Sequence, residues 1–123
     1  MTYYTDAFKK AGECRGVTVT DVWGELIFYE YLTSRDVADL ELYAILYASS
    51  VCNHHDTIRS DSLVAVNYVN RTAAGDLRRR FLIDTVRRHV EEKGITVEWV
   101  PRGLNMAGAF NQRKRRLLLK NAT

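Results

Sequence analysis

The order in which strand-forming and helix-forming segments follow one another constrains this chain more than any other feature. Its first third is written in short runs rich in Tyr, Val, Thr, Ile and Phe, broken at Gly12, Gly16 and Gly24. Aromatic and β-branched residues suit a half-buried pleated surface, and the glycines punctuate it as turns. Strands are expected over Thr2 to Lys9, Arg15 to Trp23 and Glu25 to Thr33. Three in succession pair most simply as antiparallel neighbours. The period then changes: Val37, Leu40, Ala44, Tyr47 and Val51 recur at three- and four-residue spacing, which is one face of a helix. Ser34 is a suitable N-cap, Asp36 falls in the first turn, and the helix ends near Asn53-His54-His55.

Thr57-Ile-Arg-Ser then reads as a short strand running into Asp61-Ser62, and Leu63 to Val69 as a short packed helix. Gly75-Asp76 opens a longer helix to Lys93, with Leu77, Phe81, Val86 and Val90 on one side and Gly94 as its stop. Ile95 to Val100 is a fifth strand closed by Pro101, and from about Leu104 the chain is helical again, with a basic end from about residue 111. The order is βββαβααβα, an α/β fold with a five-stranded mixed sheet and flanking helices. No repeat or long linker interrupts it, and 123 residues at 46% hydrophobic content can bury the core of one domain spanning 1–123.

Several classes are disfavoured. No stretch approaches the roughly 20 apolar residues of a membrane span, and the polar start Met1-Thr-Tyr-Tyr-Thr-Asp lacks the layout of a secretory signal. A soluble, intracellular monomer is expected. Cys14 and Cys52 form no C-x-x-C pair and suggest neither a zinc site nor a disulfide framework. A net charge of +3 with a pI near 9.0 is compatible with a polyanionic partner without establishing one. The distribution is more telling: Arg71, Arg78, Arg79, Arg80, Arg87, Arg88 and Lys93 crowd the middle, and Arg113, Lys114, Arg115, Arg116 and Lys120 the end. Two readings stand, a solvated helix face with a frayed tail, or a phosphate-binding surface.

Chemistry points to three acids. Asp6 on a strand, Glu41 on a helix and Asp61 at a strand end lie on separate elements of one α/β domain. Divalent-metal sites are assembled in this way, because hard cations take oxygen ligands and keep several waters, so a few converging carboxylates suffice. Alone, Glu41 would more often be a solvated helix residue and Asp61 a cap for the next helix. His54-His55, just past a helix end, reads as a plain loop.

Four segments then carry a resemblance: Tyr4-Thr5-Asp6-Ala7, Ala38-Asp-Leu-Glu41-Leu-Tyr-Ala-Ile-Leu, Arg59-Ser-Asp61-Ser62 and Val97-Glu-Trp-Val-Pro-Arg102. In order and spacing they resemble type 1 ribonuclease H domains, over essentially the whole chain. The resemblance implies a ribonuclease H-like fold, with Asp6, Glu41 and Asp61 matching three of four metal-binding carboxylates. It also implies Mg2+ or Mn2+, as two ions and with no small-molecule cofactor. The implied activity is hydrolysis of the RNA strand of an RNA/DNA hybrid, leaving 5′-phosphate and 3′-hydroxyl ends. Arg78, Arg79, Arg102, Arg113, Lys114, Arg115 and Arg116 are the expected nucleic-acid contacts. Two departures stand out. Where an Asn-x-x-Ala-Asp segment is expected, the chain runs Asn105-Met-Ala107-Gly108-Ala109 and carries no acid; Gly108 is read as standing at the fourth acidic position, with Asn105 and Asn111 as substitutes. The loop histidine of some members is replaced by Arg102-Gly103-Leu104, and Asn70 to Gly75 is too short for the extra basic helix that some carry. The rivals are a hybrid- or duplex-binding module without turnover, and a related DNA nuclease.

Overall fold

The computed structural model describes residues 1–9, 15–33, 36–71 and 77–121. It contains five strands, β1 (Thr2–Lys9), β2 (Arg15–Thr20), β3 (Leu26–Tyr31), β4 (Thr57–Ser60) and β5 (Thr96–Trp99), and four helices, α1 (Val37–Val51), α2 (Leu63–Val69), α3 (Arg80–Lys93) and α4 (Met106–Asn121). The strands form one sheet in the order β3-β2-β1-β4-β5. β1, β2 and β3 pair antiparallel, whereas β4 runs parallel to both β1 and β5. The expected order and mixed sheet are those observed.

Strand alternation sorts the side chains. Tyr3, Val19, Ile58 and Val97 point into a core completed by Leu42, Ile45 and Ala48 of α1 and by Ile83, Val86 and Val90 of α3. A smaller cluster of Val17, Leu40 and Ala44 continues it. On the opposite sheet face, Phe8 stacks on Tyr29 with ring centroids 4.4 Å apart, and Phe110 of α4 lies 6.0 Å from Tyr29. Gly16 is fixed by this packing, because an added Cβ would fall 1.9 Å from Glu30 O and 2.6 Å from the Phe8 ring.

Several boundaries differ from expectation for local reasons. β2 stops at Thr20 instead of reaching Trp23, because the Asp21 carboxylate accepts from the Trp23 and Glu25 amides, both at 2.9 Å, and turns the backbone out of the ladder. Asp36, not Ser34, is the N-cap of α1: its backbone is extended and its Oδ1 accepts from Ala38 N at 2.8 Å. Ser34 itself lies outside the described residues, as do Gly75-Asp76 and Cys14. The C-terminal end of α1 is closed by Lys93, whose Nζ donates to the carbonyls of Ser49 and Cys52 at 2.7 and 2.8 Å.

α3 also corrects the sequence reading. Leu77 and Phe81, expected on its buried side, are 81% and 83% exposed. The stripe that packs is Ile83, Val86 and Val90, spaced i, i+3, i+7, from which position 81 lies about 200° around the helix. The expected stop holds, since Gly94 adopts a left-handed φ of 60°. Among the described residues, no helix is long and apolar enough to cross a membrane.

Candidate functional site

β1 and β4 are the parallel pair at the centre of the sheet, and their C-terminal ends point the same way. Asp6 projects from β1, Asp61 stands one residue past β4, and Glu41 comes from the second turn of α1. The three carboxylates converge, with one oxygen of each within 4.8 Å of the others. Neither solitary reading of these acids holds. The cap of α2 is Ser62, whose Oγ accepts from Ala65 N at 3.2 Å, and Glu41 is only 6% exposed.

Their environment is unfavourable to bare negative charge. Glu41 Oε1 accepts from Ala7 N at 3.1 Å, whereas Oε2 is buried and has no hydrogen-bond partner among the described residues. Burial, and then the charges of Asp6 and Asp61, push the Glu41 carboxyl up to about 8. Burial and Asp61 push Asp6 up to about 6, against the hydrogen bond from Asn111 and the charge of Arg102. A buried acceptor without a donor is costly. A divalent cation would satisfy it and reverse both shifts, so the donor set and its orphaned oxygen fit such an ion, with Asp6, Glu41 and Asp61 as its holders.

The acids sit in an open pocket of about 390 Å³. Gly108, Asn111, Gln112 and Arg115 form one wall, spaced i, i+3, i+4, i+7 along α4, and Arg102 and Lys9 add charge at the rim. A Cβ at Gly108 would lie 3.5 Å from Asp6 Oδ2, an ordinary contact distance, so position 108 faces the cluster and tolerates a Cβ. Asn111 reaches Asp6 directly, donating from Nδ2 to Oδ2 at 2.9 Å. Asn105 is turned away from the acids: Nδ2 donates to Thr5 O at 2.9 Å, and Oδ1 accepts from the Ala107 and Gly108 amides at the start of α4.

The basic residues divide. Arg102 and Arg115 line the pocket, and Arg113 and Arg116 are exposed along α4. Lys114 lies over the Tyr29 ring, 3.8 Å from its centroid. Arg79 is engaged elsewhere, donating to Asp39 at 2.7 Å and to Asp36, which ties the start of α3 to the N-terminus of α1. Arg78 is exposed in the turn before α3. Lys9, Gln112 and the buried Thr18 were not anticipated. The helical spacing of Gln112 from Gly108, and the place of Lys9 three residues beyond Asp6, are signals that could have found the first two.

Comparison with known proteins gives one kind of likeness. No family model and no curated protein sequence matches the chain. Solved structures do match. The RNase H1 of the halophilic archaeon Halobacterium salinarum superposes with a TM-score of 0.67 at 14% identity, covering 86% of this chain and 89% of that one. The N-terminal RNase H domain of rv2228c from Mycobacterium tuberculosis gives 0.67 at 15%, covering 86% and 90%. LC11-RNase H1, solved in complex with an RNA/DNA hybrid, gives 0.63 at 16%, covering 85% and 87%. The chain has the ribonuclease H fold.

Proposed function

We propose that the chain is a divalent-metal-dependent endonuclease that hydrolyses the RNA strand of RNA/DNA hybrids. The observation that carries this reading is the buried, unpartnered Glu41 Oε2 inside a three-carboxylate cluster drawn from three elements of a ribonuclease H fold. Mg2+ or Mn2+ held by Asp6, Glu41 and Asp61 would supply Lewis acidity toward the scissile phosphate and a water acidified enough to attack it. The chain's own residues do the positioning. Arg102 and Arg115 line the pocket beside the acids and are placed to neutralise the phosphates flanking the cleaved bond. Attack of water on phosphorus breaks the bond to the 3′ oxygen, leaving a 5′-phosphate and a 3′-hydroxyl. The exposed Arg113 and Arg116 extend the positive surface along α4, and selection of RNA would rest on its 2′-hydroxyls, with little dependence on base sequence.

Gly108 favours a second reading, a hybrid-binding module with weakened turnover, since α4 offers no acid to the cluster. One assay separates these. Purified protein is given end-labelled hybrid, double-stranded RNA and double-stranded DNA, in Mg2+ and then in Mn2+. The nuclease reading expects cleavage confined to the RNA of the hybrid. Binding without cleavage in either metal supports the module, and cleavage of DNA would overturn both.

A further inference from the structure

Three acids account for the cation, but not for the α4 side chain that already touches them. Asn111 Nδ2 donates to Asp6 Oδ2 at 2.9 Å, and its Oδ1 accepts from Thr18 Oγ at 2.6 Å. Thr18 is fully buried in β2, directly opposite Asp6 in the β1-β2 register. This chain of hydrogen bonds has a polarity. The ionised Asp6 carboxylate can only accept, so the end of Asn111 that faces it is an N–H, and the amide oxygen at the other end takes the Thr18 hydroxyl proton. A carboxylate oxygen has two lone pairs, so with this N–H on one of them Asp6 Oδ2 can ligate one cation but cannot bridge two.

The neighbouring position reinforces this. Gly108, whose Cβ would stand 3.5 Å from the same Asp6 oxygen, brings no ligand, and the Asn105 oxygen is spent on the amides that open α4. The inward face of α4 therefore presents a donor to Asp6 and no free side-chain oxygen from positions 105, 108 or 111, whereas Glu41 Oε2 on the α1 side has no partner among the described residues. We propose that Asn111, oriented by Thr18, is a positioning residue that holds Asp6 with an N–H donor and restricts the carboxylate cluster to one divalent cation. The resemblance to type 1 ribonuclease H domains had implied two. This rests on the cluster being a metal centre, as the nuclease reading requires.

Counting ions tests it without reference to activity. Mn2+ is titrated into the metal-free protein, with bound ion counted by loss of the free-ion EPR signal and Mn–Mn coupling sought in the bound spectrum. One Mn2+ per chain and no coupling are expected. Asn111→Asp keeps an acceptor for Thr18 and replaces the donor by a ligand, so it should bind two Mn2+ and show coupling. If that variant does not fold, Thr18→Val serves instead, since it frees the amide to turn its oxygen inward and should raise the count above one. Two coupled ions in the unaltered chain, or a count that stays at one in the folded variants, would overturn the role of Asn111 and leave the nuclease reading standing. No bound Mn2+ at all would sink both.

Discussion

Removing the charge at Glu41 should stabilise the metal-free protein at neutral pH, although the same change should abolish tight metal binding. The carboxyl is raised from 4.5 to about 8 by burial and by the charges of Asp6 and Asp61. A carboxyl that stays protonated in the folded state while the unfolded chain ionises favours folding fully below about 4.5. That contribution is lost as pH rises toward the folded value of about 8. Between 4.5 and pH 7 lie roughly 2.5 pH units, each worth about 1.36 kcal/mol, so the loss comes to about 3 kcal/mol. Asp6, raised to about 6, adds to the same trend at lower pH. Glu41→Gln removes the titration and retains an oxygen for Ala7 N. Urea unfolding in EDTA should find the variant more stable than the parent by about 3 kcal/mol at pH 7, roughly 10 °C in Tm for a chain of this size. The gap should shrink to about 1 kcal/mol by pH 5 and close nearly to zero by pH 4. Saturating Mn2+ should invert the order, because only the parent gains from the ion. Equal pH dependence in the two metal-free proteins would refute the assignment of strain to Glu41.

Two further outcomes follow from the pocket walls. Gly108→Asp meets no clash at its Cβ and points a carboxylate into the pocket, so it should raise the cleavage rate in Mg2+, narrowing the advantage of Mn2+, which binds incomplete nitrogen and oxygen sites more readily; an unchanged Mg2+ rate would mean that position 108 does not reach the metal. Replacing Arg113, Lys114, Arg115 and Arg116 together by alanine should weaken hybrid binding and flatten its salt dependence by up to about 3 units in log–log slope, measured by fluorescence anisotropy from low to physiological salt. An unaltered slope would place the binding surface elsewhere.

The topology was legible because it depends on pattern alone. β-rich runs bounded by glycines, and a helical period from Val37 to Val51, are local properties, and the observed sheet follows them. The acids were legible too, Asp6 within a strand, Asp61 just past one and Glu41 in a well-marked helix, and the parallel pairing of β1 with β4 brings Asp6 and Asp61 side by side. What escaped depends on contacts between distant residues. The end of β2 is set by Asp21 capturing two amides, which its position in an apolar run does not announce. Phe81 was assigned to the core by its chemistry, yet the helix angle set by Ile83, Val86 and Val90 turns it to solvent. Arg79 reads as one more cation in a basic run, and only the fold brings Asp39 and Asp36 to it from 40 and 43 residues away. The Thr18-Asn111-Asp6 chain spans 105 positions, and sequence spacing carries no sign of it.

The central claim is that the Asp6, Glu41 and Asp61 cluster cleaves the RNA of a hybrid. Single-turnover cleavage of a labelled RNA/DNA hybrid by the parent chain and by Asp6→Asn, in Mn2+ and with protein in excess, tests this most directly. Asparagine keeps the size of Asp6 and withdraws the charge on which the cation depends, so the variant should bind hybrid normally and cut it at least about 100-fold more slowly, a loss of about 2.7 kcal/mol in transition-state stabilisation. Equal rates for the two proteins, or no cleavage by the parent in any metal, would contradict it.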